Sequence, residues 1–346
     1  MPKLNRRELH ETSAAIFRAM GSAPEEAEEA AAHLARANLT GHDSHGIGML
    51  PAYMRLFAEG KLVPNQTLRT VVDDGPILVL DADRGVGQRM AADAVRRGIE
   101  RARELGACVL GLRNAAHIGR VGTYGELAAS SGMIFVAFTN VATGPRLQAA
   151  HAGGDARIGT NPFVTAVPRE AGPPVLLDMA TTAIAAGKAR VAMNMGKPVP
   201  ENTLIDAAGR PTTDPSGLLQ RHEGALLPFG GHKGGGLAFM CEVLGAVATG
   251  GFRADDPAGS GIVNSFLALV LDPGRLGMKN TALEAACAHL LASPVAPGYD
   301  KVRLPGDKET ETYAVRDATG VEVDDTTWGD IVAGAQKLGL ELRTAA

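Results

Sequence analysis

Two short stretches of the chain set imidazoles among hydroxyl, carboxylate and glycine neighbours. The first is His42-Asp43-Ser44-His45-Gly46. An imidazole beside such partners can be held in one tautomer near a working pKa, which is what a proton donor or acceptor requires. That chemistry is assigned to His45, while Asp43 and Ser44 read equally well as caps of the next helix. The second stretch, Arg113 to Gly122, contains His117 and falls between a strand and a helix. Ligands of α/β sheets bind outside the carboxyl ends of strands. There Gly119, Gly122 and Gly125 admit close backbone approach, and the helix start offers N–H groups to an anion. A third stretch, Gly230 to Gly236, holds five glycines around His232 and Lys233. That density is too costly in backbone entropy for filler, and Lys233 with a helix N-terminus suits a phosphate or carboxylate. Asp178 follows an apolar run, Leu176-Leu177, and precedes Met179-Ala180. It reads either as an acceptor for ribose hydroxyls or, with Thr181, as a cap for a helix from Ala183. His10, His33, His222 and His289 are taken as surface or core filler.

The elements that must position these residues follow from periodicity. Helices are predicted over 4–20, 24–38 and 50–59, the second opening on carboxylates that its dipole favours. Strands over 77–80, 107–112, 133–138, 163–167, 175–177 and 262–271 alternate with helices over 90–105 and 123–130. An apolar helix over 237–248 follows the glycine run, and an amphipathic helix over 324–340 carries the single Trp, Trp328. The fold class is α/β. The expected organisation is a helical, dimerising and substrate unit from both termini, 1–72 plus 318–346. It flanks an α/β unit over 73–317, with the glycine-rich loop and helix at 227–250.

Composition excludes several functions. The 346 residues are 45% hydrophobic and 21% charged, with 34 Lys plus Arg against 38 Asp plus Glu and a net charge of -4. A nucleic-acid binder would carry a basic excess. The N-terminus lacks the apolar core of a signal peptide, and apolar runs fall short of the roughly 20 residues of a membrane span. Cys108, Cys241 and Cys287 are odd in number and lack Cys-x-x-Cys spacing, so neither disulfides nor a thiolate zinc site is expected, and a cytoplasmic setting is. No metal is expected, because His42, His45 and His117 lack compact ligand spacing, which weighs against a metal-dependent hydrolase. Retained imidazoles weigh against a non-catalytic nucleotide sensor. Gly85-Val86-Gly87-Gln88-Arg89-Met90 has Met where a Rossmann fingerprint needs its third glycine, and no Walker A motif occurs. A nucleotide, if bound, is held another way.

Taken in order, the motifs resemble one family along nearly the whole chain. His-Asp-Ser-His-Gly-Ile-Gly-Met at 42–49, Ala-His-Ile-Gly-Arg at 116–120, Gly-Thr-Asn-Pro-Phe at 159–163 and Leu-Asp-Met-Ala-Thr-Thr at 177–182 all fit. So do Gly-Arg-Pro-Thr-Thr-Asp-Pro at 209–215, Gly-His-Lys-Gly at 231–234 and Leu-Pro-Gly-Asp at 304–307. They resemble the malate/L-lactate dehydrogenase family, which includes sulfolactate, ureidoglycolate and piperideine-carboxylate enzymes, and within it the bacterial hydroxycarboxylate dehydrogenase B type. The resemblance implies a homodimeric NAD(P)-dependent oxidoreductase with a non-Rossmann nucleotide fold. It maps cofactor contacts onto His45, Gly119, Arg120, Val121, Leu176, Leu177, Asp178, Met179 and Ala180. Further contacts fall on His232, Asn264, Gly306, Asp307, Lys308 and Glu309, and Lys233 is added from its place in the glycine run. It makes His117 the proton acceptor, or places Ser44 and His45 in the catalytic relay. The expected reaction interconverts a small 2-hydroxy acid and its 2-oxo acid with NAD, NADP remaining open; reduction of a cyclic imine acid is the alternative. Met49 stands where several relatives carry Arg, and Asp307 where they carry Glu. The substrate carboxylate therefore needs another cation, with Arg120, Arg157 and Arg190 as candidates.

Overall fold

The computed structural model describes residues 1–142, 144–257 and 261–342. In chain order the first helices are α1 (Arg6–Ala19), α2 (Pro24–Leu39), α3 (Leu50–Ala58), α4 (Gly87–Leu105), α5 (Gly122–Ser130) and α6 (Ala186–Asn194). They are followed by α7 (Ser216–Arg221), α8 (His232–Glu242), α9 (Asn280–Leu291), α10 (Asp307–Thr319) and α11 (Asp325–Lys337).

Helix α1 begins with a reciprocal capping box between Asn5 and Glu8. Helix α2 begins at Pro24 with Glu25 and Glu26 in its first turn. Their apolar stripes bury Leu9, Ile16, Phe17, Ala30 and Leu34 in a core shared with Leu50 and Tyr53 of α3 and Ile331 of α11. Each large side chain so buried contributes roughly 1.5–3 kcal/mol. The chain ends meet, since Lys3–Leu4 pairs antiparallel with Val321–Glu322. Both termini therefore build one helical core. Helix α10, which the sequence reading did not include, lays Tyr313 against this core.

The second core lies on a seven-stranded sheet of β1 (Arg69–Asp74), β2 (Ile77–Asp81), β3 (Ala107–Ala116), β4 (Ile134–Ala142), β5 (Phe163–Val167), β6 (Val175–Met179) and β7 (Val263–Leu271). Its order is β1-β2-β3-β7-β4-β5-β6. Only β2 and β3 run parallel within it, joined by α4; the other neighbours are antiparallel. This mixed α/β sheet is unlike the open parallel sheet that carries a glycine fingerprint, in keeping with the missing motif. Leu80, Leu110, Phe135, Phe266 and Val270 pack against Met90, Val95 and Ile99 of α4. A boundary at residue 72 would cut β1, which runs from Arg69 to Asp74.

A smaller five-stranded sheet went unread in the sequence. Its strands are two or three residues long: Gln148–Ala149, Ala156–Ile158, Leu204–Ile205, Pro211–Thr212 and Ala225–Leu226. Such pieces are too short to show alternation. Two further corrections concern helix starts. The glycine run is not a loop ahead of a helix at Leu237, because α8 begins at His232 and Gly234, Gly235 and Gly236 lie inside it. A Cβ at Gly234 would sit 2.0 Å from the Phe229 carbonyl, so the close turn before the helix demands glycine there. Nor does Asp178 or Thr181 cap a helix from Ala183: α6 starts at Ala186, behind an Ala185 that has no side-chain cap. Among the described residues no helix is long and apolar enough to cross a membrane.

Candidate active site

The first histidine stretch forms one 3-10 turn, Asp43–His45, directly after α2. Asp43 does not cap α3, whose N-cap position, Met49, makes no side-chain bond. Its carboxylate instead accepts from Arg316 of α10 at 2.7 and 3.0 Å and from the Asn38 amide at 2.8 Å. The Asn38 oxygen in turn accepts from the Ile47 N–H at 2.8 Å, and a Cβ at Gly46 would collide with that oxygen at 2.0 Å. These bonds lock the turn. Ser44 likewise caps nothing, as its hydroxyl lies 2.9 Å from Nδ1 of His45.

Strand β3 runs on to Ala116, four residues beyond its predicted end, and delivers His117 to the same place. The His45 and His117 rings stack with centroids 5.6 Å apart and planes 24° apart. The Tyr53 hydroxyl lies 2.8 Å from His117 Nδ1 and accepts from the Gln88 amide at 2.8 Å. Both imidazoles are half-buried. Desolvation lowers the pKa of His45 to about 4, with the neighbouring His42 adding to the effect and Asp178 opposing it. Desolvation, then the charges of His45 and His33, lowers that of His117 to about 3. Both rings are neutral at neutral pH, so each has one nitrogen to donate and one to accept. His33, read as filler, is indeed buried and accepts from the Arg120 backbone N–H at 2.9 Å.

The segments mapped as cofactor contacts converge on the edge strand β6. Leu176 donates to the Pro305 carbonyl at 3.0 Å, bringing Gly306 to Lys308 and Glu309 alongside. Gly306 has φ +95, and a Cβ there would lie 3.2 Å from Leu176. On the other flank a Cβ at Gly122 would sit 2.3 Å from Asp178 Oδ2. The two helices that start here, α5 and α10, have N-caps, Val121 and Gly306, that make no side-chain bond. Glu309 lies 3.5 Å from His42, while Asp307 accepts from the Leu304 N–H at 2.7 Å. Uncapped N–H groups, close backbone approach and an exposed Leu177 fit a dinucleotide.

Asp178 engages the protein through one carboxylate oxygen. Its Oδ2 accepts from Arg120 Nε at 3.0 Å, and Arg120 Nη1 also donates to Glu126 at 2.9 Å. Arg120 is 2% exposed, and its buried Nη2 has no hydrogen-bond partner among the described residues. Asn264 is also occupied, accepting from Ile118 N–H at 2.9 Å and donating to the Asn140 carbonyl at 2.8 Å. His232 and Lys233 open α8 beyond Gly231, another N-cap without a side-chain bond. Ala183 donates to Leu227 and Phe229 to Thr181, at 2.8 and 3.0 Å. A Cβ at Gly187 would lie 2.1 Å from that of Ser44. The glycine-rich element and the histidine turn thus flank one stretch, 181–187.

Tyr53, Gln88 and Arg316 escaped the sequence reading. The signal at Tyr53 was a polar-tipped aromatic on the buried face of a helix, which needs a partner for its hydroxyl.

A family model described as malate/L-lactate dehydrogenase matches residues 4–332. The chain is 40% identical to hydroxycarboxylate dehydrogenase B of Escherichia coli (strain K12), over 97% of this chain and 94% of that protein. It is 38% identical to an L-lactate dehydrogenase of Cupriavidus necator, covering 92% and 93%. Its structure is similar to that of sulfolactate dehydrogenase from Methanocaldococcus jannaschii, with a TM-score of 0.88 and 30% identity over 98% of each chain. The chain belongs to the malate/L-lactate dehydrogenase family. It is accordingly an oxidoreductase, of a family whose chemistry implies a nicotinamide cofactor.

Proposed function

We propose that the protein interconverts a small 2-hydroxy carboxylic acid and its 2-oxo acid, with His117 as the group that moves the proton. The carrying observation is the stacked His45–His117 pair, in which His117 Nδ1 is engaged by Tyr53 and Nε2 is left for the substrate. When bound, the nicotinamide supplies the hydride acceptor or donor. In the oxidising direction Nε2 of His117 takes the hydroxyl proton. Its Nδ1 then carries the other ring proton toward the Tyr53 oxygen. In the reducing direction the same nitrogen must first be protonated, and an anionic substrate beside the ring raises its pKa and favours that form. Such positioned proton transfer is typically worth about 10²–10⁴-fold. His45, tethered by Ser44, orients the substrate.

NAD is the coenzyme we assign. Arg120 is the arginine in the cofactor-facing 119–121 stretch, and Asp178 and Glu126 already compensate its charge, so a 2′-phosphate gains little from it. The partner we assign is a second copy of this chain, over the face of α8 and the following turn. There Phe239, Met240 and Val247 are 60%, 43% and 55% exposed, an apolar patch that association would cover. The three buried, unpaired cysteines suit a reducing cytoplasm.

The test is loss of NADH or NADPH absorbance with a panel of 2-oxo acids and one cyclic imine acid. Turnover of an oxo acid with NADH is the expected result. Turnover confined to the imine would replace the assigned substrate class, and silence despite coenzyme binding would refute it.

A further inference from the structure

With Met49 unable to form a charge-assisted bond, the substrate carboxylate needs a cation from elsewhere. The three candidate arginines separate in the structure. Arg120 is buried between Asp178 and Glu126. Arg157, exposed on the small-sheet strand Ala156–Ile158, pairs with Asp155 at 2.7 Å. Arg190 alone is uncommitted: it is half-buried and its guanidinium makes no hydrogen bond or ion pair with any described residue. It lies on α6, the helix whose Gly187 rests on Ser44. Its Nη2 is 3.7 Å from where a Cβ of Gly48 would be, one residue before Met49. A carboxylate that feels its charge, Asp324, is already the cap of α11, accepting from Thr327 N–H at 2.9 Å and from the Thr327 hydroxyl at 2.7 Å.

We infer that Arg190 is the specificity-determining cation of this enzyme, binding the carboxylate of the 2-hydroxy or 2-oxo acid from across the cleft in place of an arginine at position 49. The inference rests on the proposed reaction and deepens it. A guanidinium left unpaired beside a histidine turn is a ready partner for a planar carboxylate, which it can engage through two parallel N–H bonds. A lysine there would keep the charge and lose the fork. The absence of a side chain at Gly48 leaves the space in front of it open.

The test compares wild type, R190Q and R190K, with K188Q as a probe of the exposed lysine two residues earlier on α6. Two readouts are taken: KM and kcat for the oxo acid, and calorimetric binding of oxamate to the NADH-bound protein. In R190Q, KM and the oxamate Kd should each rise about 100-fold, with the NADH Kd unchanged within about two-fold, as removal of a charge-assisted pair predicts. R190K should fall between. An equal loss on an oxo amide lacking the carboxylate, an effect in K188Q and not R190Q, or no change in either readout would overturn the assignment. Because oxamate binding needs no turnover, a silent wild-type enzyme would count against the proposed reaction alone. Failure of the NADH-bound wild type to bind oxamate would count against Arg190 as well.

Discussion

The Tyr53 hydroxyl is 2.8 Å from Nδ1 of His117, although the two residues come from α3 and the end of β3, 64 positions apart. The Gln88 amide donates to the same hydroxyl, so three side chains from three elements form one hydrogen-bonded row. The row selects which ring nitrogen of His117 is left for the substrate. With Nδ1–H donating to the phenol oxygen, Nε2 of the neutral ring is left to accept, and the same donation persists when His117 gains a proton at Nε2.

Replacing Tyr53 by Phe removes that choice and leaves the buried Gln88 donor unpaired. The expected result is a fall in kcat of roughly 10–100-fold, from the loss of hydrogen bonds worth about 1–3 kcal/mol. NADH binding should be unaffected, because Tyr53 touches none of the segments along β6. Stopped-flow or steady-state kinetics beside a fluorescence titration would decide it. A Tyr53→Phe enzyme with unchanged kcat would remove the row from the mechanism.

The two stacked imidazoles should respond differently to substitution. H117Q is expected to lower kcat by about 10²–10⁴ in both directions, the usual worth of a positioned proton carrier. H45Q should act mostly on KM for the oxo acid. A reversed pattern would exchange their roles, making the Ser44–His45 pair the proton carrier and His117 the orienting group.

Much of this arrangement was legible in the sequence, for reasons that differ by residue. His45 and His117 stood out because each sits among small and polar neighbours at the edge of a regular element. Glycine-dense stretches around 119–122 and 230–236 showed where backbone must pass close to something else. Arg120 could be recognised as a charge near the segments the resemblance maps as cofactor contacts, but its burial between Asp178 and Glu126 is a tertiary fact, since Asp178 arrives from a strand 58 residues away. The helix-cap reading of Asp178 failed for the same reason. The small sheet stayed hidden because two-residue strands have no period. Arg190 was one cation among three until the fold paired the other two.

Glycine positions give a sharper contrast. A methyl at Gly122 would meet Asp178 Oδ2 at 2.3 Å, an oxygen held by Arg120 Nε, and the buried Arg120 Nη2 at 2.9 Å. G122A should therefore break the Arg120–Asp178 pair at the start of α5 and weaken coenzyme binding at least 10-fold. At Gly329, inside α11, a methyl would meet nothing within 4 Å. G329A should raise stability by about 0.5–1 kcal/mol through helix propensity. Melting curves with and without NADH would separate the two effects, and a G122A protein that binds NADH normally would argue against the cradle along β6.

Acid should destabilise the protein through His33. This ring is 5% exposed, and its Nε2 must stay unprotonated to accept from the Arg120 N–H. Desolvation first, then the charges of Arg120 and His45, lower its pKa from 6.5 to about 3. Between those values the unfolded chain holds a proton that the folded one refuses, so stability rises with pH across the window. Its contribution is fully present above pH 6.5 and is lost as pH falls toward 3, with a slope of up to about 1.4 kcal/mol per pH unit. His45 and His117, whose pKa values desolvation lowers to about 4 and about 3, act in the same direction. Urea midpoints at pH 7.5 and 5 should differ clearly in the wild type. In H33Q, whose amide oxygen can still accept from Arg120 without titrating, the gap should narrow. Equal gaps in the two proteins would mean that the acid lability has its source in other groups.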